Sequence, residues 1–300
     1  MQFWKYHALG NDYLVLEPEA GRPELSGDRI RLFCDRHFGI GSDGILFGPL
    51  PPDSAGFRSI ARIADCSVSD LEDCLGGVRI YNPDGSEAEK SGNGLRIFSR
   101  FLRERGRVAD EPFRLVTLGG IVRCRCLEGG KRVSVEMGPV SFRSGDIPIS
   151  GPPREVLEEP ITVGGETFLF SGATVGNPHC VILRDTVSED LARRFGPELE
   201  REPRFPNRTN VQFMSVLDSH RIAIEIWERG AGYTLASGSS ASASAAVACR
   251  LGLCCSPVTV QMPGGELRVE IRADWQVKQT GSVTGVASGE VASDLLRFQA

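Results

Sequence analysis

Long apolar runs are missing from this chain. None approaches the roughly 20 residues that a membrane-crossing helix needs, which argues against a helical membrane protein. The opening Met1-Gln2-Phe3-Trp4-Lys5 lacks the basic-then-apolar order of a secretory leader, so a cytoplasmic location is expected. Basic charge is also short. The net charge of −5 argues against nucleic acid as a partner, because binding phosphate needs a basic surface. Histidine is scarce and dispersed, four in 300 residues, and no metal site is read from it. The nine cysteines include no Cys-x-x-Cys pair, so zinc ribbons and thioredoxin-like redox motifs are not expected. Cys124 and Cys126 alternate on one strand face, and Cys254 and Cys255 are adjacent. All nine are expected to be reduced and mostly buried.

What is present is the composition of an ordinary soluble chain, 41% apolar and 24% charged, with length for one large domain or two medium ones. The chain also repeats itself. Tyr81-Asn82-Pro83-Asp84-Gly85 precedes Ser91-Gly92-Asn93-Gly94, as Trp227-Glu228-Arg229-Gly230 precedes Ser237-Gly238-Ser239-Ser240. A helix follows each serine, Leu95–Leu102 with a large apolar stripe and Ala241–Leu251 with small residues. Next come strands Phe113–Thr117 and Val258–Met262, then Gly-Gly turns at 119–120 and 264–265. Strands Ile121–Cys126 and Arg132–Met137 complete the first half, Leu267–Ile271 and Gln276–Thr280 the second. Single Gly-Gly hairpins are common, but a shared order of this length indicates duplication. The starts echo too, in Leu9-Gly10-Asn11-Asp12 and Val175-Gly176-Asn177-Pro178-His179. Pro49–Gly77, rich in Pro, Asp, Ser and Gly, has no counterpart and is expected to be an inserted surface loop or excursion.

The expected fold is α/β (α+β): two similar domains, each a mainly antiparallel sheet wrapped around one central helix. The crossover is expected near Gly138-Pro139. The domains are placed at 1–138, with a returning C-terminal strand from 286–300 (near Gly289 to Phe298), and at 139–285.

Ser91 and Ser237 each stand before a helix, where unpaired N–H groups and partial positive charge suit a carboxylate. Two such termini facing each other would grip one anionic substrate from both sides. Either serine could instead be a plain N-cap. Asn11, Asn82, Asn93, Asn177 and Asn210 lie in loops or at helix starts. An amide offers both donor and acceptor for an amino acid, although asparagine is also a common turn residue. Glu228 and Arg229 add an anion for an ammonium and a cation for a second carboxylate, or an ordinary loop ion pair.

At this point the residues resemble a known family. Phe3-x-Lys5-x-His7-x-Leu9-Gly10-Asn11-Asp12 is similar to the opening motif of diaminopimelate epimerases. So are Arg36-His37-x-Gly39-Ile40-Gly41-x-Asp43-Gly44, Asn82-x-Asp84-Gly85-Ser86, Gly176-Asn177-Pro178-His179, Glu228-Arg229-Gly230-x-Gly232-x-Thr234-Leu235 and Met262-Pro263-Gly264-Gly265. The resemblance covers nearly the whole chain, in order. It implies the diaminopimelate epimerase-like fold, a small amino-acid substrate and, in related enzymes, often a homodimer. It also implies racemisation without PLP or metal: one cysteine takes the α-proton as thiolate while another returns a proton to the opposite face. The carried-over binding positions are Asn11, Asn82, Asn177, Asn210 and Arg229, with backbone at Gly92, Asn93, Gly238 and Ser239. His179 and Glu228 are implied to tune the two acid–base positions.

The chain departs from the pattern where it matters most. Ser91 and Ser237 occupy both catalytic cysteine positions, Ser240 stands in the family's Ala-Cys-Gly-Thr-Gly run, and Tyr233 stands where members often carry glutamate. A thiol at a helix start ionises near neutral pH, whereas a serine hydroxyl is far less acidic and needs an activating base. His179, Glu228 and a desolvated Lys90 are the candidates for that base. Three readings stay open: an epimerase with activated serines; a site repurposed for easier proton transfer or for binding alone; and a double Cys→Ser variant, disfavoured by the further changes at Ser240 and Tyr233.

Overall fold

The computed structural model describes residues 1–19 and 25–297. The chain divides into two compact units, residues 1–135 with 281–300, and residues 136–280. In the first unit the order is β1 (Gln2–Ala8), β2 (Asn11–Leu16), α1 (Gly27–Cys34), β3 (Ile45–Leu50), α2 (Ala55–Ile63), α3 (Val68–Leu71), β4 (Cys74–Tyr81), β5 (Glu87–Ala88), α4 (Gly92–Glu104), β6 (Phe113–Thr117), β7 (Gly120–Leu127) and β8 (Arg132–Pro139). Then come β9 (Glu159–Val163), β10 (Glu166–Thr174), β11 (Pro178–Leu183), α5 (Glu189–Glu200), β12 (Asn210–Asp218), β13 (Arg221–Glu228), β14 (Gly232–Thr234), α6 (Gly238–Arg250), β15 (Val258–Met262), β16 (Gly265–Ile271) and β17 (Gln276–Ser282). The chain ends with β18 (Thr284–Glu290) and α7 (Ser293–Arg297) in the first unit.

Each unit is built the same way. In the first, β1 pairs antiparallel with β2, β2 runs parallel to β3, β3 is antiparallel to β4, and β4 pairs antiparallel with β5 and parallel with β6. In the second, β10, β11, β12, β13, β14 and β15 repeat these five pairings in the same senses. A helix crosses over at each parallel step, as parallel neighbours require: α1 and α5 at the first, α4 and α6 at the second.

The two crossover helices α4 and α6 are the centres of their units. Leu95, Ile97, Phe98, Phe101 and Leu102 of α4 are fully buried. Burying each such side chain stabilises by about 1.5–3 kcal/mol. In α6, Ala241, Ala243, Ala245, Ala246 and Ala248 are fully buried. Small side chains let β10 to β13, β15 and β16 close on that helix. All nine cysteines are free thiols, six of them buried.

Pro49–Gly77 is an insertion between β3 and β4, whose counterparts β12 and β13 are joined by a tight turn. It is an excursion rather than a plain surface loop. It folds into α2 and α3, capped by Ser54 and Ser67. Phe57, Ile60 and Ala61 recur at helical spacing and enter the core. Gly77 of β4 makes room for them, since a Cβ there would meet the Ile60 side chain at 2.4 Å.

The final strand is β18, paired with β1. Much of the expected strand from Gly289 to Phe298 is helix α7, whose Leu295 and Leu296 pack on the core, and Phe298 lies outside the described residues. The two units meet within β8 and β17, at 135/136 and 280/281.

Gly196 within α5 marks a close helix–sheet approach. A Cβ there would lie 2.5 Å from Cγ of Trp227 and 2.6 Å from its Cβ. Gly196→Ala should destabilise the protein, since overpacking of about 1–3 kcal/mol exceeds or cancels the alanine helix preference of about 1 kcal/mol. Urea unfolding checks this. A midpoint above wild type would contradict the packing argument.

Candidate active site

Ser91 and Ser237 take the same place in the two units, immediately before α4 and α6. Both are N-caps with extended backbone. The Ser91 Oγ accepts the Gly94 N–H at 3.0 Å, and the Ser237 Oγ accepts the Ser240 N–H at 3.4 Å. The helices therefore start three residues earlier than the apolar pattern suggested, at Gly92 and Gly238, because the caps recruit the Gly-Asn-Gly and Gly-Ser-Ser turns. Gly94 is required for this, as a Cβ there would lie 3.3 Å from the Ser91 Oγ and 2.9 Å from Leu46. Gly238 is required by Gln279, whose side-chain oxygen would lie 2.6 Å from a Cβ.

In the first unit the hairpin turn at Leu9 and Gly10, both at positive φ, delivers Asn11 to the start of β2. Asn11 donates to Asp43 at 3.0 Å and accepts from Asn93 at 3.0 Å; Asn93 in turn accepts from the fully buried Arg96 at 2.6 Å. The two asparagines thus hold each other and retain only part of their hydrogen-bonding capacity for a ligand. Burial pushes the Asp43 carboxyl up. Burial would also raise that of Asp12, but hydrogen bonds from Arg36 and Lys5 hold it below the usual range. Asn82 closes the Pro83-Asp84-Gly85 turn by bonding Ser86 through backbone and side chain. Tyr13, two residues beyond Asn11 on the same face of β2, places its hydroxyl 3.3 Å from the Ser91 Oγ. Sequence reasoning passed over Tyr13, although the period-2 face shared with Asn11 marks it.

In the second unit, Ser237 is 4% exposed, and its Oγ is 3.5 Å from that of Ser239. Ser239 accepts from Asn177 at 3.4 Å, and the Asn177 Oδ1 lies 3.0 Å from Nε2 of His179, which must donate there. His179 is fully buried on β11. Burial lowers its pKa to about 3, with Gln212 opposing the shift and Arg229 adding to it. A group that weakly basic is mismatched to proton transfer near pH 7, and it reaches Ser239 only through Asn177. Its Nδ1 makes no hydrogen bond and lies beside Gln212, which donates to the Ser240 Oγ at 3.0 Å.

Glu228 ends β13 on the face of Ile224 and Ile226, the face carrying α6. Its neighbour Arg229 is exposed. The Arg229 backbone N–H donates to the Asn210 Oδ1 and its guanidinium to the Asn207 carbonyl. Asn210 also donates to the Pro178 carbonyl, so it shapes the site from behind. Tyr233 turns to the opposite face. It bonds Glu225 at 2.8 Å beneath the Arg193 guanidinium, so it is not at the Ser237 helix start. Lys90 is half-buried, and burial lowers its pKa, opposed by Cys124. Among the described residues no group of His, Cys, Asp and Glu is placed to hold a metal ion, and no helix is long and apolar enough to cross a membrane.

Known proteins resemble this chain. The family described as diaminopimelate epimerase matches residues 3–143 and 172–286. "Diaminopimelate epimerase 2" of a Nostoc species is 53% identical over 299 residues, covering 100% of this chain and 98% of that protein. The diaminopimelate epimerase of Moorella thermoacetica is 38% identical over 301 residues, covering 98% of this chain and all of its own length. Among solved structures, a probable proline racemase from Agrobacterium radiobacter superposes with TM-score 0.69 at 17% identity, over 99% of this chain and 94% of its own. Methylitaconate-delta-isomerase superposes at 0.59 with 12% identity, over 100% and 98%. These two likenesses speak to the fold. With the sequence relatives matched from end to end, the chain belongs to the diaminopimelate epimerase family.

Proposed function

We propose that this chain interconverts LL- and meso-diaminopimelate without PLP, using Ser91 and Ser237 as the two acid–base groups, one on each face of the α-carbon. The observation that carries the reading is the equivalence of the two serines. Each caps the buried central helix of its unit, and each Oγ accepts an N–H three residues on. Hydrogen bonding to an oxygen favours its anionic form, and the helix start adds positive potential. Those N–H groups and the backbone of Gly92, Asn93, Gly238 and Ser239 suit the substrate carboxylate, which must hold the developing carbanion charge. Glu228 and Arg229, with Asn11, Asn82 and Asn177, are assigned to the ammonium and the distal end. Asn210 is assigned to fixing Arg229. The enzyme is assigned to the cytoplasm as a homodimer, by family resemblance.

The test is exchange of the α-hydrogen. LL- or meso-diaminopimelate incubated in deuterated water should gain one α-deuterium per inversion and drift to a mixture of isomers. Absence of deuterium across a pH range of 7–10 and a panel of amino acids would remove the epimerase assignment.

A further inference from the structure

The structure assigns Tyr13 as the partner that lends Ser91 its acid–base competence, a phenol–hydroxyl pair within the first unit; this rests on the epimerase reading above. The phenol and serine oxygens are 3.3 Å apart. Tyr13 is 6% exposed, and its ring is fixed from behind by Gly44, where a Cβ would lie 2.6 Å from the ring and 2.5 Å from the Tyr81 carbonyl. The register of β2 against β1, Tyr6 opposite Tyr13, sets the ring along the strand. Ser91 is equally fixed, because its Oγ accepts the Gly94 N–H.

The chemistry favours the phenol as the site of ionisation. Tyrosine ionises ordinarily near pH 10, far closer to working pH than an aliphatic hydroxyl. With Tyr13 as phenolate, the Ser91 hydroxyl donates its proton to the phenolate oxygen while its own oxygen takes the substrate α-proton. The C–H electron pair moves into the substrate carboxylate as an enediolate. The serine is neutral before and after, and the phenolate has become a phenol. In the reverse direction Ser91 gives its proton to the α-carbon and recovers one from the phenol. Tyr13 therefore acts through Ser91 as a positioning and relay residue. Ser237 has a different neighbour, the aliphatic hydroxyl of Ser239 at 3.5 Å, so the two half-reactions are unequal.

Tyr13→Phe removes one oxygen and keeps the ring. Exchange into diaminopimelate should fall by about 10-fold or more, in line with the weight of general acid–base groups. The rise of rate between pH 7 and 10 should flatten, with KM unchanged. A second measurement needs no turnover. In a Ser91→Cys background, the thiol at that position is followed by the pH dependence of its alkylation by iodoacetamide, read on the mapped peptide. Adding Tyr13→Phe should raise its pKa by about one unit, because a donor to the thiolate is lost. If neither the exchange profile nor the thiol titration moves, the pairing is wrong. A thiol pKa that shifts in a chain showing no exchange leaves the pair standing and removes the epimerase reading. Exchange by the wild type that Tyr13→Phe leaves intact does the opposite.

Discussion

Replacing both serines by cysteine, Ser91→Cys with Ser237→Cys, should raise the rate of diaminopimelate epimerisation by roughly 10²- to 10⁴-fold, the span over which a well-matched acid–base group acts. Both positions are helix N-caps whose oxygens already receive an N–H. A thiol with an ordinary pKa of about 8.5 placed there moves toward neutrality and supplies thiolate at working pH. Serine supplies almost none unless a partner ionises in its place. The rest of each helix start, including Gly92, Gly94 and Gly238, is untouched by the substitution. Sulfur is a poorer cap than oxygen, so each change should cost about 1 kcal/mol of stability. Single variants are informative as well. One should accelerate exchange from the LL isomer more than from meso, and the other the reverse, since each group addresses one face. Deuterium uptake and optical rotation measure both. A folded double variant that binds diaminopimelate yet gains no rate would show that these positions do not flank the reacting carbon, and the assignment of Ser91 and Ser237 would fall.

The parts of this molecule that sequence could reveal are those governed by short-range rules. The serine caps, the Gly-Gly turns and the alternation of β6, β7, β15 and β16 each follow from a few neighbouring residues. Their recurrence in order disclosed the duplication. The helices of the insertion were hidden because Pro51, Pro52, Asp53 and Gly56 dominate the local composition, while the burial of Phe57, Ile60 and Ala61 depends on Gly77, distant in sequence. The partners of the asparagines are hidden in the sequence for a similar reason. In sequence, Asn11 and Asn93 are two independent amides open to a ligand. In the folded unit they form one chain between Asp43 and Arg96. Tyr233 shows the same limit: its position in the motif is plain, but the face it takes is set by its pairing with Trp227 and the packing of α5. Tertiary neighbours, not residue types, decide what a polar group is free to do.

The strongest case of that kind is His179, and it carries the second large prediction. Its ring is fully buried, and burial depresses its pKa to about 3, against an ordinary value near 6.5 in the unfolded chain. Between those two values the unfolded state holds a proton that the folded state refuses. Stability from this group is therefore complete above pH 6.5 and drains away as the pH falls toward 3. At about 1.4 kcal/mol per pH unit, the loss at pH 4.5 is about 3 kcal/mol. His179→Gln keeps a polar side chain of comparable size beside Asn177 and Gln212 but cannot titrate. The variant should be less stable than wild type at pH 7, where it forfeits the fitted imidazole. The gap should narrow by about 3 kcal/mol on going to pH 4.5, where wild type alone carries the proton penalty. Urea midpoints of both proteins at the two pH values decide the matter. Parallel losses would mean that His179 takes up its proton in the folded state near its ordinary pKa. That would reopen the possibility that the ring exchanges protons with Ser237 through Asn177 and Ser239, instead of serving as the neutral, buried prop that orients them.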